Sequence, residues 1–219
     1  MMKRIIAVFA AILMLLSFVS CGAKEAVNNI VEDVVQEVSE QSNKKITRGV
    51  IEGNVYTNDY SDLTFTATDG WSYSTDEDLA AVMNIGKEQF AANDISKNLA
   101  ELGTVYDMMV NHTDTGSNFM VMYENMDVTN LGRDADENKY LDILKENLSK
   151  QSGISYELMN QDTVTFGEND YLKASFSVTV DTVEISQVYY LRSIDNVMCC
   201  MIATPVNGVV IEDIEAMIS

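Results

Sequence analysis

The chain has 219 residues, of which 14 are basic and 34 acidic, so its formal net charge is −20 at pH 7. A surface this acidic repels phosphate backbones and anionic lipid headgroups, so we expect no nucleic-acid partner. We interpret the acidity as favouring solubility outside the cell in preference to a cation-binding role.

The chain begins with two basic residues followed by an apolar run. Lys3 and Arg4 precede residues 5–19, which are fewer than the ~20 residues that a membrane-spanning helix needs. We therefore predict a cleaved export signal over residues 1–20. Without it the chain keeps 12 basic and 34 acidic residues, a formal charge of −22.

The residues at the end of this segment are Phe18-Val19-Ser20, followed by Cys21. They resemble the lipobox of bacterial lipoproteins, with Phe18 in a place where leucine is usual. The resemblance implies that Cys21 receives a diacylglyceryl group and becomes the new N-terminus, on the extracytoplasmic face of the bacterial cell membrane. Two acyl chains anchor a protein stably, so the membrane is the first expected partner. The alternative is a plain secretory signal cut nearby, with Cys21 unmodified.

Residues 22–47 combine acidic residues with apolar ones at helical spacing. The apolar set is Val27, Ile30, Val31, Val34, Val35 and Val38. Their side chains are mostly β-branched and no partner segment follows, which makes an isolated helix marginal. We interpret residues 21–47 as the lipidated N-terminus and a tether; the alternative is a coiled-coil or docking helix.

Residues 48–219 carry the pattern of one folded domain, since about 170 residues are enough for one core. The alternation of Leu63, Phe65 and Ala67 predicts a strand early in a hairpin-rich region. Ser74 and Glu77 form a capping-box signal for a helix over residues 76–84. A second helix is predicted over about residues 88–102, and two strands around the turn at 113–118.

The second half of the domain reads as a helix followed by a run of strands. Asp136 is predicted to cap a helix with a stripe of Tyr140, Leu141, Leu144 and Leu148. Strands follow over residues 154–160, 162–166, 170–180, 183–193 and 196–204. A last helix with an apolar face of Val210, Ile211, Ile214, Met217 and Ile218 should dock on the sheet. Because the joins are short, neighbouring strands must be antiparallel, and we predict the α+β class with a single antiparallel sheet flanked by helices.

The stretches NVYTNDYSDLTFTATDGW, SNFMVMYENM, ENKYLDILKENL and VTFGENDYLKASF occur in the same order as these elements. In this order residues 48–219 resemble a group of bacterial lipoproteins with the PsbP-like fold. In such proteins an aromatic-rich strand ends at a tryptophan, which corresponds to Trp71 here. A glycine near the sheet turn, which corresponds to Gly167, starts the long hairpins. The fold is shared by an extrinsic photosystem subunit and a Ran-binding nuclear import factor. The resemblance therefore implies scaffolding and binding, and it brings no catalytic residue set.

No set of residues completes a catalytic site. His112 is the only histidine, which excludes a multi-histidine metal site and leaves one candidate for a Ser-His-Asp arrangement. The stretch from Gly70 to Ser74 comes within one residue of a nucleophile elbow, but that turn requires a parallel α/β sheet. We therefore interpret Ser72 as an outward strand residue beside Trp71 in the core.

Two stretches of the sequence have some features of a metal site. Asp134, Asp136 and Asn138 have the spacing of a calcium loop, but Lys139 and Lys145 stand where that loop needs glycine and glutamate, so helix capping explains the acids better. Thioethers suit Cu(I), and five methionines fall in one predicted hairpin with His112. These are Met108, Met109, Met120, Met122 and Met126. They equally suit an irregular core or an adaptable contact surface, and we predict no metal site.

Cys199 and Cys200 are adjacent in the predicted strand NVMCCMIAT. Neighbouring Cα atoms are ~3.8 Å apart, which strains a disulfide, and in a strand the two side chains point to opposite faces. We interpret them as buried small apolar residues. A vicinal redox switch is the alternative.

These observations predict a non-enzymatic binding or interaction module, with an envelope protein as its second partner and no cofactor. One alternative is a small-ligand carrier or sensor with a pocket between the sheet and the helix over residues 76–84. The other is a hydrolase that uses His112.

Overall fold

The computed structural model describes residues 46–83, 90, 95–127 and 135–219. The predicted signal segment, Cys21, almost all of the predicted tether, most of residues 84–94 and Asp134 lie outside the described residues. No helix in the described ranges is both long and apolar enough to cross a membrane.

Strands predominate among the described elements. In chain order they are β1 (Val50–Glu52), β2 (Val55–Asn58), β3 (Leu63–Thr66), β4 (Trp71–Tyr73), α1 (Asp76–Val82), α2 (Ser96–Leu102), β5 (Thr104–His112), β6 (Asn118–Asn125), α3 (Glu137–Ser149), β7 (Ile154–Phe166), β8 (Asn169–Val180), β9 (Val183–Ile194), β10 (Val197–Thr204) and α4 (Ile211–Glu215).

The strands form two sheets, so the prediction of a single sheet flanked by helices is wrong. One sheet has three strands in the order β1-β2-β3, and the other has seven in the order β4-β5-β6-β10-β9-β8-β7. All neighbouring strands are antiparallel, as predicted. The domain is mainly β.

The second sheet exists because the central strand of the large sheet is apolar on both faces. All eight residues of β10 are buried, with Cys199 in the core on one face and Cys200 in the core on the other. The small sheet covers the Cys199 face, where Phe65 stacks on Phe119 of β6 at 4.7 Å between ring centroids. Covering both faces removes apolar surface from water at about 25 cal/mol per Å².

Helices α1 and α3 cover the Cys200 face. The prediction for α3 is confirmed: Asp136 accepts a hydrogen bond from the Lys139 backbone N–H at 2.8 Å, and the predicted stripe is buried. The sequence predicts the N-cap of α1 at Ser74, which is one residue too early. Thr75 is the N-cap and Asp78 closes the capping box, since the Ser74 backbone N–H donates to the Met109 carbonyl at 2.9 Å.

The last two predicted features differ in detail from the structure. Residues 154–160 and 162–166 belong to one strand, β7, whose register with β8 shifts between Leu158 and Asn160. Of the predicted apolar face, Ile214 in α4 and Met217 and Ile218 after it are buried as predicted, whereas Val210 is 51% exposed. Val210 precedes α4 in extended conformation, which removes it from the helical face.

Candidate functional site

A buried aspartate lies where the described chain enters the domain. Asp107 is the extra residue of a bulge in β5, between Tyr106 and Met108, and a bulge re-aims the side chain that it carries. Its carboxylate Oδ2 accepts from the Tyr56 hydroxyl at 2.6 Å, from the Asn58 amide at 2.9 Å and from the Gly49 backbone N–H at 2.9 Å. Asp107 is 2% exposed, so three donors converge on a carboxyl group that water barely reaches.

Arg48 supplies the charge opposite this carboxylate. Its terminal nitrogens donate to Asp76 at 3.0 and 3.3 Å, and its Nε lies 3.8 Å from Asp107 Oδ1. The guanidinium also lies 4.0 Å from the centroid of the Phe90 ring, a distance that allows a cation–π contact. We call Arg48, Gly49, Tyr56, Asn58, Asp76 and Asp107 the junction network, because it binds the entering chain to the large sheet.

A small open cleft of about 240 Å³ lies on the outer side of this network. It is lined by Thr47, Arg48, Val50, Thr57 and Asp59. The Arg48 guanidinium donates both of its terminal hydrogen bonds to Asp76, and the Arg48 side chain is only 14% exposed. Arg48 therefore presents little free charge to the cleft. The geometry indicates a structural junction with a shallow polar surface.

Sequence reasoning missed Asp107, and it also missed a second buried acid, Glu124. Glu124 lies on β6 and accepts from the Tyr140 hydroxyl of α3 at 2.6 Å, which ties the helix to the sheet. Both acids stand alone in apolar strand sequences, VYDMMV and VMYENM. That isolation was the available signal, because an acid in a strand buried on both faces requires partners.

The free energy of unfolding is expected to depend on the protonation of Asp107. Burial raises the pKa of this carboxyl, against the opposing effects of its hydrogen bonds and Arg48. When the pKa of a carboxyl is higher in the folded than in the unfolded protein, the group stabilises the fold at pH values below its unfolded-state pKa. This contribution is lost as pH rises through the folded-state pKa. Urea unfolding of the protein and of Asp107→Asn from about pH 3 to 8 should therefore show the advantage of the parent shrinking as pH rises. A difference that stays constant with pH would contradict this assignment.

His112 does not occupy the position of a general base. Its Nδ1 accepts a hydrogen bond from the Thr115 backbone N–H at 3.3 Å, whereas a triad needs that nitrogen to donate to a carboxylate. The ring meets Trp71 edge-on at 5.3 Å between centroids. Ser72 is exposed and pairs with Asn111, as expected for an outward strand residue.

The five methionines of the predicted hairpin are buried. The contact-surface interpretation is therefore wrong, and the core interpretation is confirmed. Met108 lies in the core under the small sheet, and the other four lie in the core under α1 and α3. Within the described ranges, no group of three or more His, Cys, Asp or Glu side chains is placed to hold a metal ion.

Both strand cysteines are expected to resist alkylation in the folded protein. They are free and buried, and burial raises the pKa of Cys199 to about 12 and that of Cys200 well above its ordinary value. The thiolate is the reactive form. Mass spectrometry after iodoacetamide treatment should show neither residue modified in buffer and both modified in guanidinium. Rapid labelling of either one in buffer would restore the redox interpretation.

Among the described residues, side chains pack together where the sequence predicts a small-ligand pocket between the sheet and the helix over residues 76–84. Leu79 and Ala80 of α1 are buried in the same core as Met109 and Met122 of the large sheet. The described part of that helix therefore gives the carrier alternative no support.

Comparison with known proteins bears on the fold only. No protein-family model matches the chain, and no curated protein matches it. The chain is similar to the solution structure of cyanobacterial PsbP (CyanoP) from Synechocystis sp. PCC 6803, with a TM-score of 0.46 and 13% identity over 81% of this chain and 95% of that one. It is also similar to a crystal structure from Bacteroides thetaiotaomicron VPI-5482, with a TM-score of 0.39 and 11% identity over 77% of this chain and 48% of that one. No function follows from either similarity.

Proposed function

We propose that the protein is a non-enzymatic interaction module of the bacterial cell envelope, held at the extracytoplasmic face of the membrane by lipid on Cys21. The observation that carries the proposal is the packing of described side chains on both faces of β10, the central strand of the large sheet, which is buried along its whole length. Binding is then a property of the outer surfaces of the domain, which suits a protein partner better than an enclosed small ligand. The resemblance of residues 48–219 to PsbP-like lipoproteins supports the same role.

The junction network supports a tethered arrangement. Ile46 is buried in the core, and the Asn58 amide donates to the Thr47 carbonyl at 3.1 Å. Together with the contacts of Arg48 and Gly49, these fix the first described residues to the sheet. A chain attached to the membrane upstream would therefore pull on a firmly held end of the domain.

In-cell cross-linking of the full chain, followed by pull-down and mass spectrometry, tests both parts of the proposal. We expect one dominant envelope protein, and we expect it to be lost with Cys21→Ala because the released protein no longer meets it. A Cys21→Ala protein that stayed fully membrane-bound would overturn the anchoring. The absence of any cross-linked protein would overturn the interaction module.

A further inference from the structure

The outer edge of β7 is long and open, unlike the other sheet edges among the described residues. β7 has 13 residues and pairs only with β8. By contrast, β1 and β4 have three residues each. The free edge of β3 is covered by the C-terminus, where Thr64 and Ser219 exchange backbone hydrogen bonds of 2.7 and 2.9 Å. Proteins ordinarily protect sheet edges by shortening or covering them, by bulges or by charged side chains. β7 has a bulge between Leu158 and Asn160, but residues 160–166 form a regular uncovered edge, which is a candidate for strand addition.

The hairpin geometry identifies which backbone groups face the open edge. The loop between β7 and β8 has two residues and starts at Gly167, whose φ is +59°. In such a hairpin the flanking residues Phe166 and Asn169 form a hydrogen-bonded pair. Alternate residues therefore direct their backbone N–H and C=O groups outward, Thr163 and Thr165 among them. The register with β8 is unbroken from residue 160 to residue 166, so the outward groups are evenly spaced.

The edge carries negative charge that the domain leaves unbalanced. Glu157 pairs with Ser177 of β8, and Asp162 pairs with Lys173. The register shift around Met159 places these two acids on the same face of the sheet. Lys173 forms an ion pair with Glu215 at 2.7 Å. Asp162 accepts a hydrogen bond from the neutral amide of Asn160, and no cation within the described ranges forms an ion pair with either β7 acid. Met159 is 63% exposed beside them.

We propose that the β7 edge binds an extended segment of a protein partner that carries lysine or arginine at alternate positions. This rests on the proposed interaction function and names the chemistry of its partner. The added strand gains backbone hydrogen bonds along residues 160–166, and its basic side chains meet Asp162 and Glu157. A second copy would bring the same acids together. Residues 21–45 of this chain contain five acids and three lysines, and no two of these lysines stand at alternate positions. Charge therefore favours a basic partner over either.

The test uses the full chain and a displayed library of peptides as long as residues 160–166, with lysine or arginine fixed at alternate positions. A matched library with glutamate at those positions is the control. Thr163→Pro removes a backbone N–H that points outward and is not used in the pairing with β8. Proline is tolerated at such edge positions. Thr163→Val, which keeps the N–H, is the matched control variant. We expect enrichment from the basic library only, binding about tenfold weaker in Thr163→Pro, and unchanged binding in Thr163→Val.

Two further readouts keep the test decisive. If urea unfolding shows that Thr163→Pro does not fold, the double variant Glu157→Gln with Asp162→Asn takes its place, with weaker binding of the basic peptides expected. Absence of enrichment, full binding by these variants, or a dimer in sedimentation that Thr163→Pro abolishes would each overturn the proposal. If Thr163→Pro retains the cross-linked envelope protein in cells, the interaction module stands and the β7 edge is excluded as its site.

Discussion

Asp107→Ala is expected to lower the free energy of unfolding by about 3–5 kcal/mol, the cost of removing one partner from a buried charged network. The change leaves the Tyr56 hydroxyl and the Gly49 N–H without their acceptor and removes one of the two acceptors of the Asn58 amide. It also removes the carboxylate next to Arg48, whose side chain is only 14% exposed. Urea unfolding followed through the fluorescence of Trp71, the single tryptophan, measures the loss.

Asp76→Ala is the matched control because it removes the other carboxylate that contacts Arg48. The Asp76 side chain is 46% exposed, so water replaces it and we expect a loss of about 1 kcal/mol or less. Equal losses in the two variants would show that the depth of Asp107 does not matter. The junction network would then not be what holds the first described residues to the sheet.

Gly49→Ala should be the second strongly destabilising change, by about 1–3 kcal/mol, as for other overpacked cores. A Cβ at residue 49 would lie 2.1 Å from Tyr56 Cε2 and 2.8 Å from its hydroxyl oxygen. Tyr56 is fully buried and its hydroxyl is bonded to Asp107. The ring therefore cannot move aside without breaking the hydrogen bond at the centre of the junction network. Urea unfolding of the variant gives the cost.

Gly53→Ala separates this overlap from a general effect of replacing glycine. Gly53 lies between β1 and β2 with φ at +63°, and no atom lies within 4 Å of the position of an added Cβ. Its cost is therefore only that of left-handed backbone, about 1 kcal/mol. If Gly49→Ala were no more destabilising than Gly53→Ala, the close approach to Tyr56 would not constrain residue 49.

The features that the sequence predicted correctly depend on local spacing. The cap at Asp136, the buried stripe of α3 and the antiparallel order of the last four strands follow from residues close together in the chain. The opposite orientation of Cys199 and Cys200 follows from the two-residue period of a strand. Such patterns persist in the fold because each also matches what the neighbouring elements require.

Tertiary structure decided how the strands are divided and where the site lies. The local pattern of apolar residues does not determine whether β4 joins the sheet of β3 or pairs with β5. The second sheet follows from the need to cover both apolar faces of β10. The importance of Asp107 depends on a bulge in β5 and on donors at Gly49, Tyr56 and Asn58, about fifty residues earlier in the chain. By itself, the sequence determined the strand and helix periods and the acidity, and it predicts a lipid anchor. The sheet division, the junction network and the open edge of β7 come from contacts between distant segments, which hydrophobic period alone cannot specify.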